Sequence, residues 1–224
     1  RYGIAPLSWS LDHPGPMART VEDCAIALNI LAGYDPKDPS SSLKPVPDYR
    51  GSLTTRIRGL RIGVPKEYFE VPIEPQVKAV TEQAIEVLKE LGAEIKEVSW
   101  PMYHQSGAVS TPIISAEASA LHRDLLLRRG REYDPIVRFR FEAGLFISSS
   151  DYLRALRARA VYNQQAANLF LEIDLLAGPM EPVIAPPIGD KEVVINGVPV
   201  DVMAALLQYS RPFNVTGFPA LTVP

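Results

Sequence analysis

Cysteine is nearly missing from this sequence: Cys24 is the only one in 224 residues. A single thiol excludes an internal disulfide and a cysteine-built metal site, so a reducing, cytoplasmic setting is expected. Histidine is scarce as well. His13, His104 and His122 show no ligand spacing with one another or with carboxylates, and no metal or cofactor is expected. No apolar run approaches the ~20 residues of a membrane helix, so no membrane association is expected. Charge of one sign is also lacking. The net charge is −3, the Lys and Arg residues are dispersed, and nothing points to a directly bound nucleic acid. Finally, there is no Gly/Ser-rich loop: Ser40-Ser41-Ser42 lies among prolines, without glycines.

What remains, 46% hydrophobic and 22% charged residues, suits a globular chain able to bury a sizeable core. Residues 1–16 are rich in Pro, Gly and Ser and are expected to wind over a surface. Thr20 with Asp23 three positions on gives a helix start. Val21, Cys24, Ala25, Leu28 and Leu31 continue it at helical spacing, and Gly33 ends it. Residues 34–58 read as a proline-bearing connector. Leu60-Arg61-Ile62-Gly63-Val64 reads as a strand closed by Pro65. A helix follows over 74–91, with Val77, Val80, Ala84, Val87, Leu88 and Leu91 on one apolar face. Gly92 stops it, and residues 93–98 read as a half-buried strand. Strand, helix and strand within about forty residues predict a parallel βαβ crossover.

Further on, residues 111–142 are predicted helical with a break near Gly130 and Pro135, and 149–172 as one long helix. Residues 174–178 read as a buried strand and 179–187 as a proline-rich loop. Residues 193–200 form a hairpin, whose Asn196-Gly197 pair favours a type I′ turn. A short helix over 201–209 precedes a last strand near 219–224. The class is α/β.

Several runs carry a family resemblance. Ser10-Leu11-Asp12-His13-Pro14-Gly15-Pro16-Met17-Ala18-Arg19-Thr20-Val21-Glu22-Asp23 is similar to a stretch common in amidase-signature enzymes. So are Leu31-Ala32-Gly33-Tyr34-Asp35-Pro36-Lys37-Asp38, the strand at 60–65, the loop at 174–189 and Arg211-Pro212-Phe213-Asn214-Val215-Thr216-Gly217-Phe218-Pro219-Ala220. Five motifs in family order cover nearly the whole chain, with 100–150 the least matched part. The resemblance implies part of an α/β/α layered fold with a mixed, largely parallel sheet. It also implies that residues 1–224 are one truncated domain, the middle-to-C-terminal portion of the family's fold.

The activity implied is amide hydrolysis by a serine nucleophile, relayed by a second serine and a lysine. Such a relay needs a pKa-lowered lysine and converging main-chain N–H groups for the oxyanion. In the family these lie upstream of the Arg-Tyr-Gly with which this chain opens, so no catalytic residue is assigned within it. The expected partners are the missing N-terminal part of the same polypeptide and a small-molecule amide substrate, with a homo-oligomer also possible.

Arg159 falls where glutamine-using members of the family carry an arginine that holds the substrate carboxylate. Tyr152, Leu156, Asn163 and Phe170 share its helical face, and a guanidinium there could grip a carboxylate with two donors. The bland alternative is a side chain snorkelling to solvent or paired with a glutamate. Met180 and Glu181 sit just beyond a strand, where open α/β sheets place ligands; otherwise they belong to an ordinary surface loop. Asn214 and Thr216 could hydrogen-bond that loop or line the cleft; otherwise they fix the turn before the last strand. A triad built on paper from Ser115, His122 and Asp124 lacks any nucleophile-elbow context. Cys24 reads as a small buried filler, and the run Arg128-Arg129-Gly130-Arg131 as a solvated helix end.

Three readings follow: a general amidase; the glutamine-hydrolysing member of a tRNA-dependent amidotransferase complex; and a non-catalytic structural module. Against the second, such proteins continue Glu-Ala-Ser into an Arg–aromatic–Asp–Gly stretch, whereas Glu117-Ala118-Ser119 here runs on to Ala120-Leu121-His122-Arg123-Asp124.

Overall fold

The computed structural model describes residues 1–54 and 56–223. Up to Thr20 the chain has no regular element, as its Pro and Gly content requires, although Ser8 and Leu11 are buried. Helix α1 (Val21–Leu31) starts where Thr20 accepts the Asp23 amide on its hydroxyl. Its apolar stripe is largely uncovered: Ala25 alone is buried, and Cys24 is half-buried rather than packed away. Residues 34–54 make turns without a regular element.

Strand β1 (Arg61–Pro65), helix α2 (Pro75–Glu90) and strand β2 (Glu94–Val98) form the expected crossover. The strands pair in parallel, Ile62 opposite Ile95, and β3 (Leu175–Leu176) joins the other side of β1 in the same sense. The sheet order is β2-β1-β3. At the entrance to β1, Asp174 accepts the Arg61 main-chain N–H at 2.9 Å and its guanidinium at 2.7 Å, which sets the β1/β3 register. The 174–178 strand is shorter and less buried than its sequence predicts. As an edge strand it has one partner, and Leu175 turns half its surface outward.

The helical layer is α3 (Ser106–Arg129), α4 (Pro135–Gly144) and α5 (Ser149–Leu169). Helix α3 begins earlier than its sequence suggests and continues through Pro112. The break falls at Gly130, and Asp134 then caps α4 by accepting the Ile136 and Val137 amides ahead of Pro135 in its first turn. Ser148 caps α5. A separate antiparallel hairpin, β4 (Glu192–Ile195) and β5 (Val198–Asp201), turns at Asn196 (φ 52°) and Gly197 (φ 82°), the two left-handed positions a type I′ turn demands. Asp201 caps the short α6 (Val202–Leu206).

The last strand expected near 219–224 is not formed among its described residues, 219–223. Before them, residues 210–216 make helix α7 (Ser210–Thr216), Pro212 being tolerated within its first turn, and Gly217 at φ 74° ends it. The described residues beyond it have no regular structure, and no described strand pairs with them. Among the described residues no helix is long and apolar enough to cross a membrane.

Helices α3 and α4 are in close contact at Gly144. A Cβ there would overlap the Ser115 carbonyl oxygen and the Ser119 hydroxyl, and the former is main chain that cannot turn aside. Gly144→Ala is therefore expected to cost about 3 kcal/mol in urea unfolding. Gly15→Ala, which meets nothing within 4 Å, should stay within about 0.5 kcal/mol of wild type.

Candidate functional site

The C-terminal ends of β1, β2 and β3 lead into an aromatic floor. Tyr68 follows β1, Trp100 and Tyr103 follow β2, and Tyr162 of α5 and Tyr209 close over them, all at most 2% exposed. The loop after β3 lies against this floor, Gly178 meeting the Tyr68 ring so closely that no side chain fits between. Its continuation is tied to Glu74: the Glu74 N–H donates to the Pro182 carbonyl at 2.8 Å, and the Ile184 N–H to the Glu74 carboxylate at 3.3 Å.

Met180 and Glu181 lie in this loop, at the strand ends as their position after β3 implies. Met180 is 45% exposed. Glu181 is half-buried, with carboxylate oxygen Oε2 shut off from solvent and without a hydrogen-bond partner among the described residues. Burial alone pushes its carboxyl up to about 7.

Arg159 stands elsewhere, on the inward face of α5. Its Nε donates to the Val215 carbonyl at 2.8 Å and its Nη2 to the Ser10 carbonyl at 3.1 Å. The guanidinium is part-buried, and among the described residues no carboxylate lies within ion-pair distance of it. Two of its five N–H donors are used, and the edge formed by Nη1 and Nη2 has capacity for a carboxylate. Burial lowers its pKa, with the charge of Glu117 acting in the opposite direction. No hydrogen bond joins Arg159 to Met180 or Glu181 among the described residues.

Glu117 is the residue the sequence does not single out. Its carboxylate accepts from the Ser8 hydroxyl (2.6 Å), the Ser10 amide (2.9 Å), the Ser10 hydroxyl (2.8 Å) and the Tyr152 hydroxyl (3.0 Å). Burial alone would raise its pKa, but these four donors bring the net shift below the ordinary carboxylate value. The only signal in the sequence is compositional: two serines flanking Trp9, and Glu117 at the head of Glu-Ala-Ser.

The remaining candidates resolve as structural groups. Asn214 donates to the Leu11 carbonyl at 2.8 Å, and Asn163 reaches the Thr216 carbonyl at 3.5 Å, so both bind the 8–12 turn and the α7 terminus rather than the loop at 179–187. The Thr216 hydroxyl donates to the Phe213 carbonyl, one turn back in α7. The paper triad does not assemble, since the His122 ring nitrogens engage the Tyr133 hydroxyl and the Pro6 carbonyl. Arg129 pairs with Glu132 at a solvent-exposed helix end, as expected.

A parallel-sheet α/β protein with an aromatic floor at the sheet's end and a part-buried arginine on the inward face of α5 is the class this geometry defines. The chain belongs to the amidase family, whose model matches residues 1–224. It is 41% identical over 223 residues to an amidase of Pseudomonas putida, covering 99% of this chain and 48% of that protein. It is also 41% identical over 251 residues to the GatA-type component of the glutamyl-tRNA(Gln) amidotransferase of Chloroflexus aggregans, covering 100% of this chain and 50% of that protein. Among solved structures, an inhibitor-bound chain from a vestigial protein complex connected with the origins of an s-triazine catabolic enzyme superposes with a TM-score of 0.88. That match has 32% identity and covers 97% of this chain and 47% of the other. The chain thus spans about half the length of the curated relatives it matches.

The Glu181 shift sets a pH dependence of known sign. A carboxyl raised from 4.5 to about 7 binds its proton more tightly when folded, so the folded state loses stability as pH climbs from about 4.5 to about 7, and the penalty is complete above that. Glu181→Gln should abolish this component. The check is the urea midpoint at pH 5 against pH 7.5, with the wild-type decline expected to be steeper than the variant's.

Proposed function

We propose that this chain is one part of an amidohydrolase that cleaves a carboxylic amide, with its Ser-Ser-Lys relay in polypeptide lying N-terminal to residue 1. A serine oxygen would bond to the acyl carbon, the C–N bond would break as nitrogen takes a proton, and water would then release the acid. On this reading residues 1–224 shape the substrate cleft and are inactive alone. Among the described residues every recorded contact of a lysine ammonium group is with a carboxylate, a carbonyl or an aromatic ring, none with a serine hydroxyl. The partner in this account is the rest of the same polypeptide, in a cytoplasmic setting, with a homo-oligomer as the further possibility.

The observation that carries the reading of the cleft is Arg159, a half-buried cation anchored by two carbonyls and, among the described residues, without a carboxylate at ion-pair distance. It would hold an anionic group on the acyl side of the substrate, with Met180 and Glu181 bordering the cleft from the loop after β3. The same residue favours the second reading, the glutamine-hydrolysing member of an amidotransferase, because glutamine carries such a carboxylate. The Glu117-Ala118-Ser119-Ala120 run speaks for the general amidase instead. A purely structural module is the third reading.

The test compares ammonia release by the complete polypeptide and by residues 1–224, using one amide with a distal carboxylate and one neutral amide of similar size. Turnover is expected from the complete polypeptide only. Turnover by the 224-residue chain that Ser115→Ala abolishes would overturn the proposal. In the complete polypeptide, Arg159→Met should lower the kcat/KM ratio of acidic to neutral substrate by about 10- to 100-fold, the range for losing a charge-assisted hydrogen bond.

A further inference from the structure

Glu117 and Arg159 are opposite charges that do not touch, and Ser10 stands between them. The Ser10 N–H donates to Glu117 at 2.9 Å, while the Ser10 carbonyl accepts from Arg159 at 3.1 Å. Both main-chain groups of one residue are thus held from opposite sides. The turn around it is tight: the Leu11 and Asp12 amides donate back to the Ser8 carbonyl, and the Asp12 carboxylate accepts the Leu7 and Ser8 amides. Ser8 is 1% exposed and Leu11 2%, so the turn cannot shift without uncovering the core.

A second link runs within α5. Tyr152 lies two helical turns before Arg159 on the same face, and its hydroxyl donates to Glu117 at 3.0 Å. The Glu117 carboxylate therefore ties α3, α5 and the 8–12 turn at one point, and Arg159 takes its orientation from that turn and from Val215.

We infer that Glu117 is a positioning residue for Arg159: without contacting substrate, it fixes the Ser8–Ser10 turn that aims the guanidinium's free edge. This rests on the reading of Arg159 as the holder of a substrate carboxylate. Geometry and charge can be separated here, because they act in opposite directions. Glu117 places a negative charge near an anion site, so its field alone weakens anion binding, while its hydrogen bonds hold the arginine that favours it. A variant that keeps the charge and breaks the geometry isolates the second effect.

Glu117→Asp does this. It retains the carboxylate but withdraws it by about 1.5 Å, one methylene, so that it cannot span Ser8, Ser10 and Tyr152 together. Tyr152→Phe removes one donor with no change of charge and is the milder variant should the aspartate not fold. Both are made in the complete polypeptide and assayed with the acidic and neutral amides. The ratio of kcat/KM values should fall about 10-fold in Glu117→Asp and about 3-fold in Tyr152→Phe, through a raised KM for the acidic substrate. If Arg159→Met lowers the ratio while both other variants leave it at the wild-type value, Glu117 is a structural tie only and the inference is overturned. A ratio unmoved by Arg159→Met removes the carboxylate reading itself, and the inference with it.

Discussion

Tyrosines buried at the end of the parallel sheet join the sheet to the helices, and each does so with a ring and a hydroxyl at once. Tyr103 donates to the Gln208 carbonyl, Tyr162 to the Tyr103 carbonyl and Tyr209 to the Tyr68 carbonyl. The acceptors are main-chain carbonyls of short helical turns and loops, where regular ladders are lacking and a buried carbonyl left without a donor would be costly. Burial raises every one of these phenols, Tyr209 to about 12, so they remain donors throughout the physiological range. Ring contacts of 5.0–5.7 Å then bind Tyr68 to Tyr103 and Tyr209, and Trp100 to Tyr103 and Tyr162. The loop after β3 can run across this floor because Gly178 adds nothing between it and Tyr68.

The part-buried charged groups are treated unlike an ordinary ion pair. Glu117 is solvated by four neutral donors and Arg159 by two neutral acceptors. Replacing water's hydrogen bonds in this way lets a half-buried charge persist without direct neutralisation. It also leaves the arginine receptive. A guanidinium already locked to a carboxylate would have to break that pair before receiving a ligand, whereas one tied to carbonyls has no direct ion pair to break. Glu181 is the converse case. Its buried oxygen has no donor among the described residues, so the proton binds more tightly.

Much of the fold was legible because local chemistry was decisive. Thr20, Ser148 and Asp201 accept helix-start amides, Asn196-Gly197 makes the hairpin turn, and the β1-α2-β2 unit follows its apolar periods. Three readings failed where tertiary context overruled pattern. The strand expected near 219–224 is not formed among residues 219–223, since no described strand offers them a ladder. The sequence pattern starts α3 at residue 111, yet the helix begins at Ser106 and runs through Pro112. In α2 the apolar face splits in two. Val77, Thr81, Ile85 and Leu88 are half-covered, whereas Val80, Ala84, Val87 and Leu91 face outward. Periodicity identifies apolar stripes but not which one has a partner.

The candidate site was legible only as far as residue type and helical face could carry it. Arg159 lies on an inward stripe, as its helical neighbours imply, but its two carbonyl acceptors come from residues 149 positions earlier and 56 later. No spacing rule connects them. Glu117 escaped notice for the same reason: its donors lie at separations of 109, 107 and 35 residues. Sequence patterns register charges that pair along one element, such as Arg138 with Glu142 four residues on, and these are the exposed pairs that contribute least to stability. The part-buried charges Glu117 and Arg159 are satisfied across elements by hydroxyls and main-chain groups. Such partners are chemically generic, available anywhere in a chain, and acquire their meaning only when folding brings the 8–12 turn between α3 and α5.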